Sequence, residues 1–191
     1  MNKKLIIHPE DPSTDFLKIF YPNESAIIEC PGNSKLRKMI QKAEEIWLLG
    51  HGTEWGLLDM HSKFGVLEIV GSKHIEFLRN KKVIGIWCNA NIFAEKYKLT
   101  GLFSGMVISE MQEALDWNIQ TTEEEIEREN LNFASDLSNC IKYANHLSEV
   151  PEMMRKRLEK ENCSDLVKFN YESIYWIENG NDSGDIKIYN I

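Results

Sequence analysis

Two short segments hold residue types able to do more than pack. In Leu48-Leu49-Gly50-His51-Gly52-Thr53 a histidine stands between glycines at the carboxyl end of an apolar run. In Ile86-Trp87-Cys88-Asn89-Ala90 a cysteine ends another apolar run. An imidazole titrates near neutral pH and takes the proton of a thiol, which turns a weak nucleophile into a thiolate. A cysteine just ahead of a helix also meets the positive end of the helix dipole, one setting that lowers a thiol pKa. The pair therefore predicts nucleophilic catalysis, with Cys88 as nucleophile and His51 as general base. The amides of Gly52 and Cys88 are the expected donors to a developing oxyanion. All of this requires the two apolar runs to be neighbouring strands that end at one sheet edge.

The elements that must position this pair are legible as apolar runs alternating with helical patterns. The runs are Leu5-Ile6-Ile7, Ala26-Ile27-Ile28, Ile46 to Leu49, Val83 to Trp87 and Leu102 to Ile108. Between them, amphipathic stretches fall at Thr14 to Phe20, Leu36 to Ala43, Lys73 to Arg79, Ile92 to Tyr97 and Ser109 to Trp117. Leu57 to Met60 and Val66 to Ile69 form a hairpin-like excursion between the third and fourth runs. Thr121-Thr122-Glu123-Glu124-Glu125 is a strong helix start, with a Thr cap and three acids at the positive dipole end. One long helix to about His146 and a second from Pro151 to about Glu161 follow. The tail, Leu166 to Ile177 and Ile186 to Ile191, alternates enough to predict a terminal strand or hairpin around Gly180 to Gly184. The expectation is one α/β domain spanning 1–191, with its core at about 3–117 and added helices and a terminal strand at 118–191. Its central sheet is mostly parallel in a three-layer α/β/α sandwich.

The quoted blocks, Ile46-Trp47-Leu48-Leu49-Gly50-His51-Gly52 and Val83-Ile84-Gly85-Ile86-Trp87-Cys88, resemble the caspase-like (clan CD) cysteine peptidases. The style is closest to the separase, CHAT and clostripain–gingipain branches, and Gly56-Leu57-Leu58 looks like the segment after the His-Gly of separase and CHAT members. The caspase signature around the cysteine is absent, since the order here is Ile-Trp-Cys-Asn-Ala. The resemblance implies peptide-bond hydrolysis through an acyl-enzyme, with His51 as base and Cys88 as nucleophile. It also implies a substrate pocket built by loops at the carboxyl ends of neighbouring strands. Those loops offer Asp11, Asp15, Glu54, Asp59, Ser109 and Glu110, and carboxylates there favour a basic side chain before the scissile bond.

Composition narrows the alternatives. The 191 residues are 42% hydrophobic and 27% charged, which describes a folded globular domain and excludes global disorder. A net charge of −8 disfavours binding a phosphate backbone, and Lys35–Lys42 and Arg155–Lys160 are expected to be solvated helix faces. No apolar run approaches the length of a spanning helix, and the N-terminus lacks a signal-peptide core, so a cytoplasmic protein without membrane partner is expected. Cys30, Cys88, Cys140 and Cys163 lie far apart without a CxxC pair, which points to neither zinc nor disulfides. His51, Glu54, Asp59 and His61 form a competing metal constellation, but their spacing matches no ligand pattern. No cofactor is indicated, because no glycine-rich phosphate loop follows the first strand. His8, His74 and His146 are expected to be solvated or locally hydrogen-bonded. The rival to a peptidase is a caspase-like domain that binds or regulates without catalysis, and such a domain would bury Cys88 or leave its thiol unactivated.

Overall fold

The structure, a computed structural model, describes residues 4–21, 26–28, 33–159 and 162–182. Strand β1 (Lys4–Ile7) leads through a 3-10 helix (Pro12–Phe20) to β2 (Ala26–Ile28) and α1 (Asn33–Lys42). Next come β3 (Glu45–Leu49), β4 (His51–Thr53), β5 (Gly56–Asp59), β6 (Leu67–Gly71) and, after a 3-10 turn, α2 (Ile75–Leu78). The chain continues through β7 (Lys82–Ile86), α3 (Ala90–Tyr97), β8 (Gly101–Ser104), α4 (Met111–Asp116) and α5 (Glu123–Tyr143). It closes with α6 (Val150–Leu158), α7 (Asp165–Glu172), β9 (Ile174–Glu178) and β10 (Asn181–Asp182). Among the described residues no helix is long and apolar enough to cross a membrane.

The chain is an α/β protein with two sheets. Seven strands run in the order β10-β9-β8-β7-β3-β1-β2, and the five from β8 to β2 pair in parallel. The antiparallel β9 and β10 extend the β8 edge. A second, three-stranded antiparallel sheet is β4-β5-β6. The hairpin-like excursion therefore has a third strand, formed by the His51 segment itself.

Central strands are apolar at successive positions because both faces are covered. Leu5, Ile7, Ile46, Leu48 and Val83 pack in one cluster with Leu36 and Ile40 of α1, Leu78 of α2 and Phe93 of α3. Their neighbours Ile6, Trp47, Leu49, Ile84 and Ile86 pack in another with Leu17, Phe133 and Leu137 of α5 and Met154 of α6. Such period-two division is what strand geometry imposes on alternate side chains. Helix α5 starts where the Thr122 hydroxyl accepts the Glu125 N–H at 3.2 Å, with Glu123, Glu124 and Glu125 in its first turn. Its stripe of Ile126, Phe133, Ala134, Leu137 and Cys140 is buried, and burying each large apolar side chain contributes about 1.5–3 kcal/mol.

Some expectations need correcting. The fifth run is strand only over Gly101–Ser104, because the chain then turns, and Ile108 packs in a satellite cluster with Ala114, Ile126 and Leu166. In the tail, 165–172 is helix rather than strand. Ser164 caps it by accepting the Val167 N–H at 3.4 Å, and the buried Leu166 and Asn170 recur four residues apart. A hairpin does form beside Gly180, but residues 183–191, like Cys30, lie outside the described residues.

Of the two settings expected for His8 and His74, the structure has the locally hydrogen-bonded one, and both rings are buried. His8 is held by Tyr21 Oη at 2.6 Å and Thr14 Oγ1 at 2.9 Å, while His74 Nδ1 accepts the Gly71 N–H at 3.3 Å. Burial first, and then neighbouring cations (Lys18 for His8, Lys73 and Arg37 for His74), push both pKa values down to about 4. The unfolded chain takes up these protons at higher pH, so the stabilisation is present above about pH 6.5 and is lost as pH falls toward 4. Each group is worth at most about 3 kcal/mol over that window. Urea unfolding at pH 7.0, 5.5 and 4.5 should show the decline, and His74→Gln should flatten it. An unchanged slope in that variant would remove His74 from the account.

Candidate active site

Strands β3 and β7 are direct neighbours, and Leu49 stands opposite Ile86 in their parallel register. His51 and Cys88 are each two residues beyond that last pair, so both lie at the carboxyl edge of the sheet. The Gly50 N–H donates to Ile86 O at 3.1 Å, which extends the ladder by one step and ties the two exits together.

The glycines around His51 serve different needs. Gly50 has φ +129°, a region that L side chains rarely adopt. Gly52 is required by space, since a Cβ there would fall 2.0 Å from Trp87 Cδ1 and 2.6 Å from Gly56 O. The space beside Gly52 is filled by the Trp87 indole, which donates Nε1–H to Thr53 O at 3.0 Å. Trp87 is buried as a core residue, whereas Trp55 is 55% exposed, with Lys96 Nζ 2.9 Å from its ring centroid.

Cys88 is held by its backbone neighbours. The buried Ser104 hydroxyl accepts the Trp87 N–H at 2.9 Å and donates to Trp87 O at 2.8 Å. Asn89, in the left-handed region at φ 68°, donates its N–H to Gly105 O at 3.1 Å. Helix α3 begins at the next residue, two positions before the expected Ile92.

The thiol, however, is not activated by these surroundings. Its Sγ lies 3.6 Å from Val107 O and 3.7 Å from Glu113 Oε1, and among the described residues His51 is not a hydrogen-bond partner. Desolvation first, and then the Glu113 carboxylate, push the Cys88 thiol up to about 12. The expected lowering by the α3 dipole is therefore outweighed. Glu113 is itself fixed: its Oε2 accepts Ser109 N–H at 2.7 Å, Ser109 Oγ–H at 3.1 Å and Glu110 N–H at 3.2 Å.

His51 meets partners from the first loop of the chain. Its Nε2 is 2.7 Å from Ser13 Oγ and 3.7 Å from Asp11 Oδ2, and His61 Nε2 approaches the same Oδ2 at 3.1 Å. Burial opposes the charge on Asp11, but two Ser13 hydrogen bonds and the His51 and His61 imidazoles outweigh it and hold the carboxyl below its ordinary range. Sequence reasoning had Asp11 only as a pocket acid and missed Ser13 and Glu113. The one local signal for the first pair was Asp11-Pro12-Ser13, a helix-start motif in which Asp11 accepts the Ser13 N–H at 3.0 Å.

Ser109 and Glu110 line a cleft of about 480 Å³ together with Ser13, Met111, Glu123, Glu127 and Asn130. Asp15, Glu54 and Asp59 are not part of it. Asp15 is exposed and pairs with Lys18 at 2.6 Å, Glu54 sits in the β4–β5 turn, and the buried Asp59 accepts the His61 N–H at 3.0 Å. The metal constellation is not assembled either, because His51 and His61 meet at Asp11 and not at Glu54. Among the described residues no group of three or more His, Cys, Asp or Glu is placed to hold a metal ion.

Fold and site define an α/β domain with a histidine and a cysteine at adjoining strand exits, the histidine backed by a serine and a carboxylate. No protein-family model and no curated protein matches the chain.

Proposed function

We propose that the protein is a cysteine peptidase of caspase-like, three-layer architecture, acting through Cys88 and His51. The observation that carries the reading is the Leu49–Ile86 register, which brings both residues to one edge two positions past the last strand pair. The division of the buried side chains into one cluster per sheet face supports the three-layer arrangement. In the reaction, the Cys88 proton passes to His51 and the thiolate forms a bond to the carbonyl carbon. The carbonyl electron pair moves to oxygen, within reach of the Gly52 and Cys88 amides. Collapse breaks the C–N bond, the amine leaves with the His51 proton, and water then releases the acid from the thioester.

A peptide or protein is the substrate, and the net charge of −8 argues against nucleic acid. Glu110, Glu123 and Glu127 line the cleft with no Lys or Arg among its residues, which suits a basic side chain. We place the activity in the cytoplasm, without cofactor or membrane partner.

A fluorogenic peptide panel ending in Arg, Lys, Asp or Leu tests this. Cleavage should favour Arg or Lys and fall by about a thousandfold or more in Cys88→Ala and in His51→Ala. Equal cleavage of all four peptides would end the basic preference. No cleavage at all would favour the second reading, a binding module, for which the contact of Glu113 with the thiol speaks.

A further inference from the structure

As general base, His51 takes the proton on one of its two ring nitrogens. Three hydrogen-bonding groups decide which. Asp11 is buried, and its ionised carboxylate only accepts. Ser13 has one hydroxyl proton, and it goes to Asp11 Oδ1 at 2.7 Å. The Ser13 oxygen also stands 2.7 Å from His51 Nε2, and with its proton already committed it can only accept there. His51 must then carry hydrogen on Nε2, and its neutral ring leaves the lone pair on Nδ1.

Resting on the reading of His51 as the base, we infer that Asp11, acting through Ser13, is the positioning carboxylate that fixes His51 as the Nε2–H tautomer with Nδ1 as proton acceptor. Helix capping alone explains only the Ser13 N–H bond to Oδ1. It does not explain why Oδ2 faces two imidazoles, or why the Asp11 side chain is only 9% exposed. The arrangement also places an ionised group behind the imidazolium that forms once the thiol proton has moved, which favours that charge. Asp11 does not line the cleft, and Ser13, which does, acts in this account on His51 and not on the scissile bond.

Long-range proton–nitrogen correlation on the full chain with labelled histidines, above pH 8, reads the tautomer directly. The His51 signal is identified by its loss in His51→Gln. The expected pattern is an Nε2–H ring in the wild type, a mixture in Ser13→Ala, and the wild-type pattern in Ser13→Thr. Kinetically, Ser13→Ala and Asp11→Asn should lower kcat by about 10- to 100-fold, the usual weight of a partner that orients a histidine, with KM little changed. An Nδ1–H ring in the wild type, or a tautomer indifferent to Ser13→Ala, overturns the inference. The spectrum does not depend on catalysis, so it decides the inference even where the peptide panel shows no turnover. It is also read without Asp11→Asn should that variant fail to fold.

Discussion

Cys88 in the resting protein is expected to react with iodoacetamide at pH 7.5 roughly thirty- to fiftyfold more slowly than an unhindered cysteine. A thiol pushed up to about 12 has a far smaller thiolate fraction than an ordinary one. The greater intrinsic nucleophilicity of a more basic thiolate recovers only about half of that loss on a logarithmic scale. Partly exposed Cys163 is an internal reference in the same peptide-mass experiment. Glu113→Gln keeps the size of the side chain and removes the charge 3.7 Å from Sγ, so it should raise the Cys88 rate by about threefold, one pKa unit of thiolate less the half that nucleophilicity takes back. Burial is the larger cause and stays in place, so the variant should not reach the rate of a free thiol. A Cys88 that is the fastest cysteine at pH 6 in the wild type would contradict the environment described. An unresponsive Glu113→Gln would assign the whole effect to desolvation. If the protein is a peptidase, the segment from Val107 to Glu113 must move from the thiol, or be displaced by substrate, before thiolate forms.

Gly52→Ala should cost about 3 kcal/mol of stability, the upper end of what overpacking a closed site costs. The added Cβ would fall 2.0 Å from Trp87 Cδ1, and backbone at Gly56 O closes the other side at 2.6 Å. Trp87 cannot easily yield. Its indole is bonded to Thr53 O, packs edge-on against Phe93 at 5.5 Å, and a Cβ on Gly85 would itself come within 2.5 Å of it. Gly50→Ala provides a contrast, because its Cβ would meet only ordinary contacts near 3.6 Å and the penalty is backbone strain at φ +129°. That strain costs about 1–2 kcal/mol. Urea midpoints and slopes for both variants separate the two mechanisms. Trp87→Phe should recover part of the Gly52→Ala loss in the double variant, since a smaller ring leaves room. A Gly52→Ala protein within about 1 kcal/mol of wild type would show that the β4–Trp87 contact is not tight.

Much of the architecture was written locally. Ile46 to Leu49 and Val83 to Ile86 are strands because unbroken apolar runs that short are satisfied only between two covered faces, and both end where glycine or a helix start interrupts them. Thr122 and the three acids after it announced α5 from its own first turn. The tail was misread because Leu166 to Tyr171 fits an alternating pattern and a helical one alike, and the Ser164 cap was the deciding signal.

The residue types and their places at strand ends were thus determined by the sequence alone: His51 after β3, Cys88 after β7, glycines beside the first and a helix after the second. Their meeting at one edge was decided by the pairing of β3 with β7, a long-range contact that no local pattern encodes. The state of each side chain was decided further away still. Glu113 reaches the Cys88 thiol from 25 residues on, and Ser13 reaches His51 from 38 residues before. Electrostatics depends on separation in space and on exclusion of water, and both exist only once the chain has folded. Sequence could therefore say which groups were present, while only the tertiary structure could say that the histidine is supported and the thiol masked.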